Sequence, residues 1–413
     1  MEIKRDIYLE QLKSKAWNQM IKVITGLRRS GKSYLLFHIF CDYLRSQGVD
    51  EQHIIKVILD DLENEHLREK HALYNYIKAR ITGEGQYYVL IDEIQFVDGF
   101  SDVLNSLLHR SNADVYVTGS NSKFLSSDIL TEFRGRGDEI RVFPLSFQEF
   151  MSVYDGDFAD AWDDYCQYGG LPYVAGLTSA KAKSDYLKSL FEKTYLTDIL
   201  DRHKIRNKDE MNELLDILSF AVGSYTNPTK LSRTFKSAKN KSVKSATLKN
   251  YIDYLQDAFL ISQAKRYNVK GKRYVNSPMK YYFEDIGLRN ARLNFRQVEE
   301  NHIMENIIYN ELRIRGFNVD VGIVESFVKN NDKSERRTYE VDFVANRGSD
   351  RIYLQSALSI TAAEKEAQEL RSLRKIPDSF RKIIVVGDRA KHRKYDDGIE
   401  IIGLKYFLLQ DWE

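Results

Sequence analysis

The chain has 413 residues, 43% of them hydrophobic and 30% charged, enough for two or three soluble domains with packed cores. Cys41 and Cys166 lie far apart without CxxC spacing, which excludes a disulfide framework and a cysteine metal site. No apolar run reaches membrane-spanning length and the start, MEIKRDIYLE, is charged, so the expectation is a cytoplasmic protein with no membrane partner.

The net charge of +2 is unevenly spread. Between Arg202 and Lys280 there are 17 Lys or Arg against 6 Asp or Glu, a concentration that points to a polyanion-facing module in the middle of the chain.

IKVIT (21–25) reads as a short buried strand and SYLLFHIFCDYLRS (33–46) as an amphipathic helix. Between them stands GLRRSGKS (26–33), which has the P-loop spacing. Glycines let consecutive N–H groups wrap phosphates, and the following helix turns its positive end to the same anion. Gly26, Leu27, Arg28, Arg29, Ser30, Gly31, Lys32, Ser33 and Tyr34 are therefore the predicted nucleotide-binding residues. Lys32 is expected to reach the β- and γ-phosphates and Ser33 to ligate Mg²⁺. A glycine turn that merely caps a helix is the alternative, and the strand–loop–helix context speaks against it.

Four more strands are predicted at HIIKVILD (53–60), YYVLIDE (87–93), DVYVTGS (114–120) and EIRVFPL (139–145), with helical stretches between them. That alternation predicts a parallel sheet covered on both faces. Asp92 and Glu93 end the 87–93 strand, where ligands of an α/β sheet collect. Asp92 is the expected Mg²⁺ residue and Glu93 the expected general base, an adjacency that favours an NTP hydrolase over a small-molecule kinase. Thr118, Ser120 and Asn121 end the next strand and are candidates to bond the γ-phosphate or orient water; a simple turn or helix cap is the other reading. In FRGRGDE, Arg134 and Arg136 are candidates for an arginine offered to a neighbouring subunit's nucleotide, or else solvated loop residues.

Beyond the turn YGGLPYVAGL (168–177), NELLDILSFAVGSY, NPTKLSRTFK and SATLKNYIDYLQDAFLI read as three helices, and residues 261–285 as a hairpin around a Lys-Gly turn. Helix, helix, helix, hairpin is the winged-helix order. Thr247, Lys249 and Asn250 would open the recognition helix, with Lys236, Lys239, Lys241 and Lys244 before it and Lys270, Lys272 and Arg273 in the wing. Cations so placed suit phosphates and carry little base information. A solvated basic face on a protein-binding or lid element is the competing reading.

The last part offers a helix with Glu305, two strands (YEVDFVANRG and RIYLQSALS), a helix and a strand. This order resembles the PD-(D/E)XK nuclease fold. Glu305 and Asp342 match its acids, but Gln355 stands at the third acid and Ala357 at the lysine, so an inactive nuclease-like scaffold is expected.

Taken together, TGLRRSGKS, VLIDEIQ, VTGSNS, Gly135–Arg136, PLSFQEF (144–150), YGGLP (168–172), KYYFEDIGL (280–288) and YEVDFV (339–344) resemble a prokaryotic family of predicted AAA+ ATPases with a C-terminal domain of unknown function. The resemblance implies an α/β fold with a P-loop AAA+ parallel sheet in the order 5-1-4-3-2. It also implies ring or other homo-oligomer assembly, with Arg136 as the trans arginine. The expected organisation is an ATPase domain over 1–154, a helical lid or linker over 155–205, a basic winged-helix-like domain over 206–290 and a degenerate nuclease-like domain over 291–413. ATP and Mg²⁺ are the expected cofactors. Hydrolysis driving or switching an interaction with nucleic acid, expected to be DNA, is the first functional reading. An ATP-gated scaffold with a protein partner on the C-terminal domain is the second, and a metal-dependent nuclease the third.

Overall fold

The computed structural model describes residues 3–119, 135–239, 242–296, 299–330, 333–387, 390–410 and 412. These fall into two compact units, Met1–Pro144 with Asp257–Phe259, and Leu145–Gln256 with Leu260–Glu413.

The first unit is built on five parallel strands: β1 (Ile21–Thr25), β2 (Ile54–Ile58), β3 (Tyr87–Asp92), β4 (Ala113–Thr118) and β5 (Gly137–Arg141). Their spatial order is β2-β3-β4-β1-β5, the expected order read from the other edge. Alternation along each strand sorts its side chains into two cores. Ile21 and Val23 join Val57, Val89, Ile91, Val115 and Val117 on one face, beneath the helices Lys70–Arg80 and Phe100–Leu108. Ile24, Leu90, Tyr116 and Ile140 face the other way, against Tyr8 and Leu12 of helix Asp6–Ser14 and Leu35, Leu36 and Phe40 after the P-loop. Lys22 is fully buried on this second face, where its ammonium pairs with Asp114 and lies over the Tyr116 ring. β5 is paired over Gly137–Arg141, earlier than the run 139–145, because its partner β1 spans only Ile21–Thr25 before the chain turns into the P-loop.

The second unit carries helices and an eight-stranded sheet. Its strands are β6 (Ile261–Asn268), β7 (Arg273–Phe283), β8 (Asn318–Asn330), β9 (Lys333–Arg347), β10 (Asp350–Ala357), β11 (Arg381–Val386), β12 (Arg393–Lys394) and β13 (Ile399–Gly403), in the order β12-β13-β11-β10-β9-β8-β6-β7. The three helices expected before the hairpin are present as Lys208–Phe220, Pro228–Lys239 and Ser245–Asp257. The hairpin itself, however, is not a free wing. β6 runs parallel to β8, pairing Arg266, Tyr267 and Asn268 with Val321, Gly322 and Ile323, so the hairpin is the edge of the C-terminal sheet. The cause lies in β7: Lys280 and Tyr282 bury their polar ends on Glu305, and the Phe283 backbone is bonded in both directions by the Asn306 amide at 2.8 Å.

Three family motifs meet in this unit. Asp285 accepts from the Gly170 N–H at 2.8 Å and the Leu288 N–H at 3.0 Å. Leu145 N–H donates to the Gly170 carbonyl at 2.7 Å, and the Tyr165 hydroxyl to the Leu145 carbonyl at 2.7 Å. Backbones approach so closely that a Cβ on Gly287 would lie 2.0 Å from the Tyr168 carbonyl oxygen. Next to it, Ser146 and Glu149 form a capping box, whose hydroxyl cap stabilises the helix Phe147–Met151 by about 1 kcal/mol.

Candidate functional site

β1 is buried along all five residues and delivers the chain into the P-loop at its C-terminal end. Gly26 has φ +135°, and a Cβ there would sit 2.0 Å from the Val142 carbonyl oxygen, so no side chain fits between this loop and the strand beside it. Gly31 is left-handed at φ +95° and turns the loop into the helix that begins at Lys32. That helix includes a π-helical stretch, Leu35–Phe40, a departure frequent near functional sites. From below, buried Arg5 donates to the Ser30 carbonyl at 3.2 Å and the Phe143 carbonyl at 2.6 Å. Sequence reasoning missed Arg5, which lies 25 residues from Ser30, just ahead of a helix with no motif.

The buried Lys32 ammonium donates to the Gly26 and Leu27 carbonyls at 3.1 and 3.0 Å. Burial pushes its pKa down to about 8, against the pull of the Glu93 and Asp92 carboxylates. Ser33 Oγ donates to Asp92 Oδ1 at 3.1 Å, and the Thr118 hydroxyl donates to the same oxygen. Thr118 Oγ1 in turn accepts from the Glu93 N–H at 3.0 Å. Burial raises the Asp92 pKa, and the bonds from Thr118 and Ser33 oppose that rise. Ser33 on the helix after the P-loop, with Asp92, Glu93 and Thr118 from two strand ends, is thus part of one connected group. Ser120, Asn121 and Arg134 lie outside the described residues.

The fit to a nucleotide and its cation rests on this chain's own atoms. The glycine cradle has no room for side chains, and a buried cation lies beneath it. Ser30 Oγ is buried and meets no partner among the described residues. A serine hydroxyl and a carboxylate are already paired where a hard cation finds oxygen ligands. Around this cradle Leu27 is buried, Arg28 and Arg29 are exposed, and Tyr34 stacks on His38 with ring centroids 4.8 Å apart.

Arg136 is exposed, and its carbonyl accepts from the Ile21 N–H at 2.9 Å. That is the opposite end of β1 from the P-loop, roughly 16 Å away along a five-residue strand. Arg136 therefore does not serve the nucleotide site of its own chain.

In the second unit Lys236, Lys244 and Lys249 are exposed on or beside the helices Pro228–Lys239 and Ser245–Asp257, and Lys270, Lys272 and Arg273 at the β6–β7 turn. Lys241 and the Lys239 side chain lie outside the described residues. Thr247 is half-buried and Asn250 exposed.

The nuclease-like positions are brought together but chemically filled. Lys280 Nζ lies 2.8 Å from Glu305 and 2.7 Å from Glu340, and the Tyr282 hydroxyl donates to Glu305 at 2.6 Å. Burial would discharge Lys280, yet Glu305, Asp342 and Glu340 outweigh it and hold the ammonium above the usual lysine range. Burial raises the Asp342 pKa, and Glu305 adds to the rise. Gln355 is spent on structure: its Oε1 accepts from the Asp342 N–H at 2.7 Å and its Nε2 donates to Glu369 at 3.0 Å. Ala357 packs in the core of the sheet. Among the described residues no three His, Cys, Asp or Glu are grouped to hold a metal ion. An adjoining cleft of about 720 Å³ is lined by Glu340, Glu364 and Glu369 against a single cation, Arg371, an unwelcoming field for a polyanion.

The sheet order and the linked P-loop group define the class, a P-loop protein with an AAA domain. Family comparison agrees: an AAA domain matches residues 18–151, Domain of unknown function (DUF8612) residues 159–299, and Domain of unknown function (DUF4143) residues 300–407. An uncharacterized protein of Haemophilus influenzae (strain ATCC 51907 / DSM 11121 / KW20 / Rd) is 32% identical over 99% of this chain and 98% of its own length. An uncharacterized protein of Methanocaldococcus jannaschii is 28% identical over 89% of this chain and 80% of its own. The chain belongs to this prokaryotic family, in which an AAA domain precedes domains of unknown function. Among solved structures, the Aeropyrum pernix ORC1 protein in complex with DNA covers 71% of this chain and 92% of its own at 12% identity and a TM-score of 0.31. CDC6P from Pyrobaculum aerophilum covers 74% and 96% at 11% identity and a TM-score of 0.30. Overlap of that extent carries no argument about what this chain binds. No helix among the described residues is long and apolar enough to cross a membrane.

Proposed function

We propose that the chain is a Mg²⁺-dependent ATPase of AAA+ type that converts ATP and water to ADP and phosphate. The observation that carries this reading is the connected group Ser33–Asp92–Thr118–Glu93 beside the buried Lys32. When bound, ATP with Mg²⁺ supplies the γ-phosphoryl group and a cation that screens its charge. The loop N–H groups and Lys32 hold the phosphates. Ser33 and Asp92 are the residues suited to the cation, and Glu93 is the base suited to take a proton from water. Arg136, displaced from its own site, is offered to a neighbouring copy in a homo-oligomer.

The test is steady-state ATP hydrolysis beside nucleotide binding. Lys32→Ala should abolish tight ATP binding in a folded protein, because it removes the charge facing the phosphates. Glu93→Gln should bind ATP and barely turn it over, a loss of roughly a hundredfold or more in kcat. Unchanged affinity in the first, or wild-type turnover in the second, removes the reading.

For the partner, we infer nucleic acid, engaged by the basic middle segment and expected to be DNA. Support comes from the excess of 17 cations over 6 acids and from the exposure of Lys236, Lys244, Lys249, Lys270, Lys272 and Arg273. An ATP-gated scaffold for a protein partner is the competing reading, since the hairpin is built into a sheet. Metal-dependent nuclease activity is disfavoured by Gln355, Ala357 and the Lys280 ammonium. The proposed division of labour keeps the segments 1–154, 155–205, 206–290 and 291–413, with the hairpin of the third built into the sheet of the fourth.

A further inference from the structure

Glu93, the residue after β3, has a left-handed conformation, φ 51° and ψ 48°, which is uncommon for a residue with a side chain. Such strain persists only where surrounding bonds enforce it. Two do so here: the Glu93 N–H is held by Thr118 at 3.0 Å, and the Glu93 carbonyl accepts from Phe96 N–H at 3.0 Å. The short 3₁₀ turn Ile94–Phe96 folds the next polar side chain, Gln95, back onto Glu93. There Gln95 Nε2 donates to Glu93 Oε2. An amide facing a carboxylate must present its NH₂, since its oxygen would be repelled. This orientation leaves Gln95 Oε1 buried and without a partner among the described residues. A buried acceptor with no donor forfeits the hydrogen bonds it would make to water, so its retention beside a base asks for a donor that arrives later.

We propose that Gln95 is a positioning residue for hydrolysis, fixing the Glu93 carboxylate through its NH₂ and offering Oε1 as a second acceptor for the attacking water. The inference rests on the ATPase reading above. The water oxygen bonds to the γ-phosphorus as the bond from that phosphorus to the β–γ bridging oxygen breaks. One water proton passes to Glu93 and on to solvent, and the other stays on the released phosphate. Two acceptors, Glu93 and Gln95, fix both protons of the water and so aim its lone pair. Gln95 itself neither gains nor loses a proton.

The experiment compares wild type, Gln95→Met and Gln95→Ala in the full chain. Methionine keeps the length and packing of the side chain but has neither the NH₂ nor the oxygen. Four quantities are read: kcat, KM for Mg·ATP, affinity for a fluorescent ADP, and affinity for ADP with aluminium fluoride, which mimics the phosphoryl group in flight. Both variants should lose roughly tenfold to a hundredfold in kcat, the scale of a slightly misplaced reacting group. KM and ADP affinity should stay within about twofold, since the lost bonds are to Glu93 and water and none is to the nucleotide. The aluminium fluoride complex should weaken by a factor comparable to the kcat loss. Full kcat in Gln95→Met with loss only in Gln95→Ala would show packing alone and overturn the proposal. A raised kcat would make Gln95 a restraint, and a parallel rise of KM would make it part of the binding site; either also overturns it. If Gln95→Ala fails to fold, Gln95→Met carries the test. The parent reading fails separately, and takes this one with it, if wild type does not hydrolyse ATP or Glu93→Gln does so at the wild-type rate.

Discussion

Lys280 shows what a single residue does when its partners come from distant parts of the chain. Its ammonium is shared by Glu305, 25 residues on, and Glu340, 60 residues on, while Tyr282 donates to the same Glu305. Nothing local in KYYFEDIGL announces that arrangement, so the sequence reading placed the lysine in a motif without a role. The P-loop is the opposite case. Gly26, Gly31, Lys32 and Ser33 act through backbone shape and a fixed short spacing, and those are visible in eight consecutive letters. Arg5 falls between the two: a lone arginine ahead of a helix gives no sign that it will brace the loop from below. Breaking the Lys280 cluster has a definite expected outcome. Lys280→Ala strands buried carboxylates without their cation and should lower stability by roughly 3–5 kcal/mol. Chemical denaturation at neutral pH measures this. A loss under about 1 kcal/mol, the size of an exposed pair, would mean the cluster is solvated in solution.

At the scale of elements, the helix Glu300–Ile314 ties the second unit together through buried polar residues. Glu311 on this helix accepts the Phe147 N–H at 2.7 Å, so it caps a neighbouring short helix across 164 residues of sequence. Burial pushes its pKa up to about 7, with Glu149 adding to the rise and Arg315 and the Phe147 N–H opposing it. Asp285 in the same unit is pushed up to about 6 by burial, against three backbone N–H groups. A carboxyl whose folded pKa lies above its ordinary value binds its proton more tightly folded than unfolded. Stability is then fully present below the ordinary value, near 4.5 for Glu311, and is lost as pH rises towards 7. Glu311→Gln keeps an oxygen for the Phe147 N–H and removes the ionisation. It should match wild type near pH 4.5, exceed it at pH 8 by roughly 2–3 kcal/mol, and flatten the decline between. Urea unfolding at the two pH values checks this, and an unchanged slope would place the Glu311 proton elsewhere. Asp285→Asn is a poorer probe, because the amide must still serve three donors. The elements themselves were largely legible. Strand ends that carry Asp92, Glu93 and Thr118 follow apolar runs of plain period, and helix, helix, helix, hairpin was read in the right order. What the reading lacked was where the hairpin goes, since pairing of β6 with β8 joins residues more than fifty apart.

At the scale of the whole molecule, charge distribution and assembly are where the proposed function meets its tests. Arg136 gives the assembly prediction: in a proven oligomer, mixing Arg136→Ala subunits with Glu93→Gln subunits should restore part of the ATPase rate. Where the site of an Arg136→Ala subunit faces a Glu93→Gln neighbour, an intact base meets an intact trans arginine; the opposite pairing lacks both and stays silent. No rescue would return Arg136 to the solvated surface.

The basic segment gives the second whole-molecule prediction. If Lys236, Lys244 and Lys249 neutralise phosphates, each releases a bound counterion, and affinity should fall steeply with salt. Replacing all three by alanine should lower the log–log salt slope by roughly three units, about one per contact. The loss should be alike for unrelated sequences, because phosphate contacts carry no base information. ATP affinity should be unchanged, since these lysines belong to a different compact unit from the P-loop. A scaffold that acts on a protein partner expects the reverse: no nucleic-acid binding at physiological salt, and no effect of the three alanines on it. Titrating labelled DNA and RNA against wild type and the triple variant, at low and physiological salt, separates the two. Equal binding of DNA and RNA would point to phosphate alone, whereas a preference that survives the triple variant would move the recognition to Lys270, Lys272 and Arg273 at the sheet's edge hairpin.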